Sequence, residues 1–236
     1  MNQFKVNFNY NIENIGLKMV KVECCKIDAK FKKENEVIYR RETKIFLNEN
    51  NKDRCTGIVL MLNPGKCLPK GTKEIDGWQL FKDLECDNTQ NNVANCVKEA
   101  YDNNPPQGYV YIVNLSDKRK TESKKLSEEN FTKDDLEIVK EIENKIKEQE
   151  EKGNSMNWIW IAFGKIYEDN ECPKKHKKRN ELKKKVLNRL KEMFQDKIVG
   201  EKINYLHPYN FNFKNKYNDE KLEIIKDIKG KLENSQ

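Results

Sequence analysis

Short apolar runs alternate with amphipathic stripes along most of the chain. Gly57-Ile58-Val59-Leu60-Met61-Leu62, Tyr109-Val110-Tyr111-Ile112-Val113 and Trp158-Ile159-Trp160-Ile161-Ala162-Phe163 are nearly continuous in apolar character, the pattern of strands covered on both faces of a parallel sheet. A shorter fourth run, Lys202-Ile203-Asn204-Tyr205-Leu206, is read the same way. Between them, apolar residues recur at helical spacing: Val93, Ala94, Val97 and Tyr101; Leu136, Val139, Ile142 and Ile146; Leu182, Val186, Leu190, Met193 and Phe194; Leu222, Ile225, Ile228 and Leu232. Thr132-Lys133-Asp134-Asp135 predicts a capping box at the start of the second of these helices. Strands alternating with amphipathic helices predict an α/β layered fold with a mainly parallel sheet.

The first 50 residues follow a different pattern. Phe4, Val6, Phe8 and Tyr10 alternate with polar partners, as do Val37 and Tyr39 and then Ile45 and Leu47. Period-two alternation predicts antiparallel strands. The polar stretch from Asn48 to Asp53 predicts a turn, so the reading divides the chain into a β-rich N-terminal extension, residues 1–50, packed on an α/β domain, residues 51–236.

Composition narrows the functional classes. Lys and Arg number 46 against 39 Asp and Glu, a formal charge of +7. The longest apolar run, Trp158 to Phe163, falls far short of the ~18 residues a membrane helix needs. The N-terminal Met1-Asn2-Gln3-Phe4-Lys5 lacks the apolar core of a secretory signal. The expectation is a cytoplasmic chain with no membrane partner. Its seven scattered cysteines include no CxxC pair and match no iron–sulfur spacing, so they are expected to be reduced, mostly buried thiols. Two histidines, His176 and His207, are too few for a multi-histidine metal site; no metal and no soluble cofactor is expected.

Chemistry in an open parallel sheet belongs outside the carboxyl ends of the strands. Those ends read Asn63-Pro64-Gly65, Asn114-Leu115, Gly164-Lys165 and His207-Pro208-Tyr209. Taken singly, each is ordinary turn chemistry. As an ordered set they resemble the uracil-DNA glycosylase superfamily. There a water-activating loop with Asn-Pro or Asp-Pro is followed by a base-reading Asn, a Gly-Lys-like turn and a His-Pro-Ser. A bacterial and phage branch of that superfamily is the nearer likeness, with Leu-Asn-Pro-Ser, Asp-x-Thr, Asn-Leu followed by Arg, and His-Pro. Here these are Leu62-Asn63-Pro64-Gly65, Asp87-Asn88-Thr89, Asn114-Leu115 with Arg119, and His207-Pro208. The likeness covers roughly residues 55–215. Met61 stands where the glycosylases have Gly, and Tyr209 where they have Ser; both changes bear on pocket size and on how DNA is presented.

The resemblance implies a three-layer α/β/α sandwich and a monofunctional DNA glycosylase. Such an enzyme hydrolyses the N-glycosidic bond of uracil or a modified pyrimidine, bulky phage-type bases included, in repair or in defence against phage. Asn63 would orient the attacking water, and His207 would donate a hydrogen bond to the pyrimidine O2 as charge develops there. Asn114 would read the flipped base edge. Gly65 and Arg119 would complete the pocket. An aromatic ring must stack on the base, and Phe81, Trp78 and Tyr209 are the candidates, Phe81 preferred. The run Pro173-Lys174-Lys175-His176-Lys177-Lys178-Arg179 is the densest positive patch and predicts a phosphate-backbone grip through Lys174, Lys175, Lys177, Lys178 and Arg179. DNA is the only partner implied. The alternatives are a nucleic-acid or nucleotide binder on the same fold that does not turn over, and an interaction protein in which Asn63 and His207 only cap turns.

Overall fold

The computed structural model describes residues 25–48, 52–69, 75–102, 107–119, 127–212 and 216–233. The strand expected at Phe4–Tyr10 lies outside these residues. Seven strands make one mixed sheet: β1 Lys26–Glu34, β2 Val37–Phe46, β3 Cys55–Met61, β4 Gln79–Glu85, β5 Tyr109–Asn114, β6 Ile159–Ile161 and β7 Ile198–Val199, in the order β4-β1-β2-β5-β3-β6-β7. The four helices are α1 Asn88–Ala100, α2 Asp135–Glu151, α3 Lys177–Phe194 and α4 Asn218–Glu233.

Half of the strand pairs are parallel and half antiparallel: the core is parallel, as expected, and the antiparallel N-terminal strands extend the same sheet. The β5-β3, β3-β6 and β6-β7 pairs are parallel, whereas β4-β1, β1-β2 and β2-β5 are antiparallel. The β1–β2 hairpin turns on Asn35 and Glu36, both at positive φ (46° and 62°), the left-handed pair that a two-residue hairpin needs to match strand twist. Backbone pairing therefore runs without a break across the expected boundary near residue 50, because β2 bonds directly to β5.

Side chains alternate between two cores. On β3, Ile58 and Leu60 face α2 and α3, meeting Ile138, Ile142, Val186 and Leu190. Val59 and Met61 face the other way, toward Val93 and Val97 of α1 and Ile224 and Ile228 of α4. β5 and β6 repeat the alternation, with Tyr111 and Ile161 on the first side and Ile112 and Trp160 on the second. The result is helices on both faces of one sheet. Among the described residues no helix is long and apolar enough to cross a membrane.

Three local expectations change. The segment Lys202–Leu206 is a series of turns rather than a strand, and the last strand is Ile198–Val199. Gly200 at φ +98°, followed by Asn204 and Tyr205 at φ 50° and 60°, bends the chain before the apolar residues can pair. The capping box expected at residues 132–135 is a simple cap: the Asp134 side chain accepts from the Glu137 amide at 2.8 Å. β4 was not foreseen, since an exposed edge strand carries no continuous apolar signature.

The thiols also depart from expectation. Pairing of Lys26 with Glu85 across β1 and β4 brings Cys25 opposite Cys86, and the two form a disulfide with their Cα atoms 5.7 Å apart, within the normal bridging range. Cys55, Cys67 and Cys96 are free and buried; desolvation pushes the Cys55 and Cys96 thiols up to about 12, so they stay protonated and inert. The bridge spans 61 residues. Under oxidising conditions Cys86→Ser should cost about 2–3 kcal/mol in urea unfolding, somewhat less than loop-closure entropy alone implies. In dithiothreitol the variant and the parent should unfold together; a gap that persists there would assign the loss to packing.

Candidate functional site

In the parallel half, the strand order is β5-β3-β6-β7. The chain leaves β3 for β5 through α1 on one face, then crosses to β6 through α2 on the other. Connections thus diverge at the carboxyl ends of β3 and β6, where doubly wound sheets open a crevice. A cavity of about 440 Å³ lies there, lined by Met61, Leu62, Asn63 and Gly65 after β3, Phe163, Gly164, Lys165 and Tyr167 after β6, and His207, Tyr209 and Asn210 after β7. Asp87, Thr89 and Gln90 at the start of α1, Arg40 and Ile112 from the sheet, and Arg179 and Lys183 from α3 complete the wall.

The Asn63 loop is held from below by one carboxylate. Asp87 is the N-cap of α1: its Oδ1 accepts from the Gln90 amide at 3.1 Å, and Gln90 Oε1 accepts from the Asp87 amide at 2.7 Å, a reciprocal capping box. Asp87 Oδ2 accepts from the amides of Lys66 at 2.8 Å and Cys67 at 3.4 Å. Gly65 is required by this closeness, because a Cβ there would stand 2.3 Å from Asp87 Oδ2. Arg119 adds a second restraint, donating from Nη2 to the Lys66 carbonyl at 2.6 Å. Asn63 is itself buried, and its Nδ2 donates to the Pro64 carbonyl at 3.0 Å. That bond ties the amide to its own loop; of its two polar atoms, Oδ1 is the acceptor suited to a water.

His207 sits in a tight turn before the 3-10 segment Pro208–Asn212. Asn92 of α1 donates to the Pro208 carbonyl at 2.9 Å, and the Phe211 ring stacks on Trp160 at 6.2 Å. The Tyr209 amide donates to His207 Nδ1 at 3.2 Å. Nδ1 is thus an acceptor, and the neutral ring carries its proton on Nε2. Desolvation pushes the imidazole pKa down to about 4, with the Lys183 charge acting in the same direction and Asp87 opposing. At neutral pH His207 is an uncharged N–H donor.

The cavity wall is electropositive. Arg40, Lys165 and Arg179 line it against the single carboxylate Asp87. Arg40 is 3% exposed, makes no ion pair, and its Nε and Nη1 have no hydrogen-bond partner among the described residues. A guanidinium stays protonated even when burial lowers its pKa, and Asp87 opposes that lowering, so this end of the cavity carries a buried positive charge that favours anionic ligands.

Of the residues expected from sequence, Asn63, Gly65, His207, Tyr209 and Arg179 line this cavity together. The others lie elsewhere. Phe81 is on edge strand β4, packed edge-on against Phe31 at 5.6 Å, and Trp78 covers the Arg41 guanidinium at 4.0 Å. The rings at the cavity are instead Phe163, Tyr167 and Tyr209. Asn114, at the end of β5, is 2% exposed and does not line the cavity; neither amide atom has a partner among the described residues. Arg119 braces the loop and contributes nothing to the lining. Lys174, Lys175, Lys177 and Lys178 are exposed at the start of α3, outside the cavity.

Sequence reading missed Arg40 and Lys183 as cavity residues. Lys183 had a legible signal: it shares a helix face with Val186, Leu187 and Leu190, all inward. Comparison with protein-family models, curated proteins and solved structures finds no match to this chain.

Proposed function

We propose that this chain is a DNA glycosylase that takes an extruded uracil or modified pyrimidine into the β3–β6 cavity and hydrolyses its N-glycosidic bond. The observation that carries the reading is that Asn63 and His207, from opposite ends of the α/β unit, line one cavity large enough to admit a nucleobase. Asn63 Oδ1 accepts a hydrogen bond from a water and holds it for attack at C1′. An amide is too weak a base to deprotonate that water fully, so the reaction depends on a sugar with strong oxocarbenium character. The bond to the base breaks, and the base leaves with the electron pair. His207 Nε2–H donates to the pyrimidine O2 as that charge appears. A neutral donor suits this role, since it stabilises the anion without first releasing the product as a tight ion pair. One such donor is worth roughly 3–4 kcal/mol in the transition state.

The remaining wall supports the same substrate. Tyr167 and Tyr209 offer ring faces for stacking, and the amides of Gln90 and Asn210 offer edge contacts. The electropositive lining draws the leaving anion, and the exposed lysines at the start of α3 lie where a phosphate backbone would give salt-sensitive binding.

The test uses single- and double-stranded oligonucleotides carrying one uracil, hydroxymethylcytosine or glucosylated base, followed by alkali to cleave abasic sites. Strand breaks should appear for at least one base and fall at least about tenfold in Asn63→Ala. Breaks that persist unchanged in Asn63→Ala would remove the water-positioning step. Salt-sensitive binding with no abasic product would make the protein a binder rather than an enzyme.

A further inference from the structure

We propose that Lys183 is a nucleophile within the cavity, forming a Schiff base with the C1′ aldehyde of an abasic deoxyribose and adding strand cleavage to base removal. The inference rests on the glycosylase reading for its substrate but on separate geometry for its chemistry. Lys183 is 5% exposed, on the inward face of α3, and lines the same cavity as Asn63 and His207. No carboxylate pairs with it among the described residues. Its Nζ instead donates to the Gly164 carbonyl at 3.1 Å and the Lys165 carbonyl at 3.0 Å, with the Phe163 ring centroid 5.3 Å away.

Those contacts are what a neutral amine needs. A neutral NH₂ has two hydrogens, and the two carbonyls accept both. The lone pair then occupies a tetrahedral position turned away from them. Desolvation and the Arg179 charge, one turn earlier on the helix, bring the amine down to about 7, while Cys172 opposes. An apolar setting with a neighbouring cation is how lysines become nucleophiles near neutral pH. A lysine that served only to tie down the Gly164–Lys165 turn would gain nothing from facing a cavity.

The step balances without any oxidant. Once the base has left, the sugar opens to its C1′ aldehyde, and the Nζ lone pair attacks that carbon to give a carbinolamine. Loss of water yields the protonated imine. Removal of a C2′ proton expels the 3′ phosphate with the C3′–O electron pair, and a water then hydrolyses the imine, returning Lys183 and an unsaturated aldehyde.

The experiment supplies the abasic site ready-made, in a duplex oligonucleotide, and reduces the mixture with sodium borohydride. A covalent protein–DNA adduct should form, together with a nicked product when borohydride is left out, and peptide mapping of the wild-type adduct should place the link on Lys183. Lys183→Gln and Lys183→Arg should lose at least about tenfold of the adduct, whereas Lys185→Ala, on the exposed face of α3, should retain it. Absence of an adduct with wild-type protein, or an adduct mapped to another amine, overturns the proposal; the mapping does not depend on any variant folding. The glycosylase reading fails separately, when base-containing DNA yields no abasic sites while ready-made abasic DNA is still trapped. Abasic sites without an adduct would leave base excision standing and remove Lys183 from the chemistry.

Discussion

His207→Ala should slow base release by about 10²–10³-fold, because it deletes the hydrogen-bond donor proposed to act on the leaving base. DNA affinity should stay nearly unchanged, since the exposed lysines at the start of α3 are untouched. The pH profile is the sharper readout. An ordinary histidine changes charge near pH 6.5, but burial holds this one neutral down to about 4. Wild-type single-turnover rates should therefore show no inflection assignable to His207 between pH 5.5 and 7.5. His207→Gln, which keeps an N–H donor, should recover part of the rate. A rate that follows imidazole protonation near pH 6.5 would mean that the charged ring does the work, contrary to the Tyr209-to-Nδ1 hydrogen bond.

The second large effect is on stability. Because the folded state holds His207 at about 4 and the unfolded chain near 6.5, the unfolded chain binds the proton more readily between those values. Stability is then fully present above about pH 6.5 and is lost as pH falls toward 4, by roughly 3 kcal/mol for this shift. Lys183, brought down to about 7, acts in the same direction at higher pH: its contribution is complete only above the ordinary lysine range and declines as pH falls toward 7. Urea midpoints measured at pH 7 and pH 4.5 should fall more steeply for the parent than for His207→Gln. Carboxylates whose pKa burial raises, such as Asp117, affect both proteins equally and cancel in the comparison. Parallel curves would show that the imidazole is solvated.

Much of the architecture was legible because it is written in uninterrupted apolar runs and helical stripes. β3 and β5, buried at every position, and all four helices fall where those patterns put them. Two strands escaped for different reasons. β4 has only one covered neighbour and so a mostly polar sequence. β7 is two residues long, and the apolar letters after it are turned aside by Gly200 and by left-handed Asn204 and Tyr205.

The site divides in the same way. Asn63 could be found because it follows β3 directly, and position along a strand fixes which end of the sheet a residue reaches, whereas His207 stands eight residues beyond β7 and was legible only through its His-Pro motif. Phe81 could not be placed, since its location depends on β4 pairing with β1, which sets it opposite Ala29, far back in the chain. Arg40 lies on an antiparallel strand that the motifs do not touch, and only the β2–β5 pairing carries it to the cavity. Lys183 was concealed by company: among so many lysines, the one turned inward reads as another solvated charge unless the helix phase is followed residue by residue.

Asp87 has one oxygen on the first turn of α1 and the other on the backbone after Gly65. A lapse in either grip releases both, so fraying at the tip of this helix and drift of the water-orienting amide are a single event. Warming should therefore disarm the proposed site before the protein melts, with loss of function beginning at this pin while the sheet beneath remains whole.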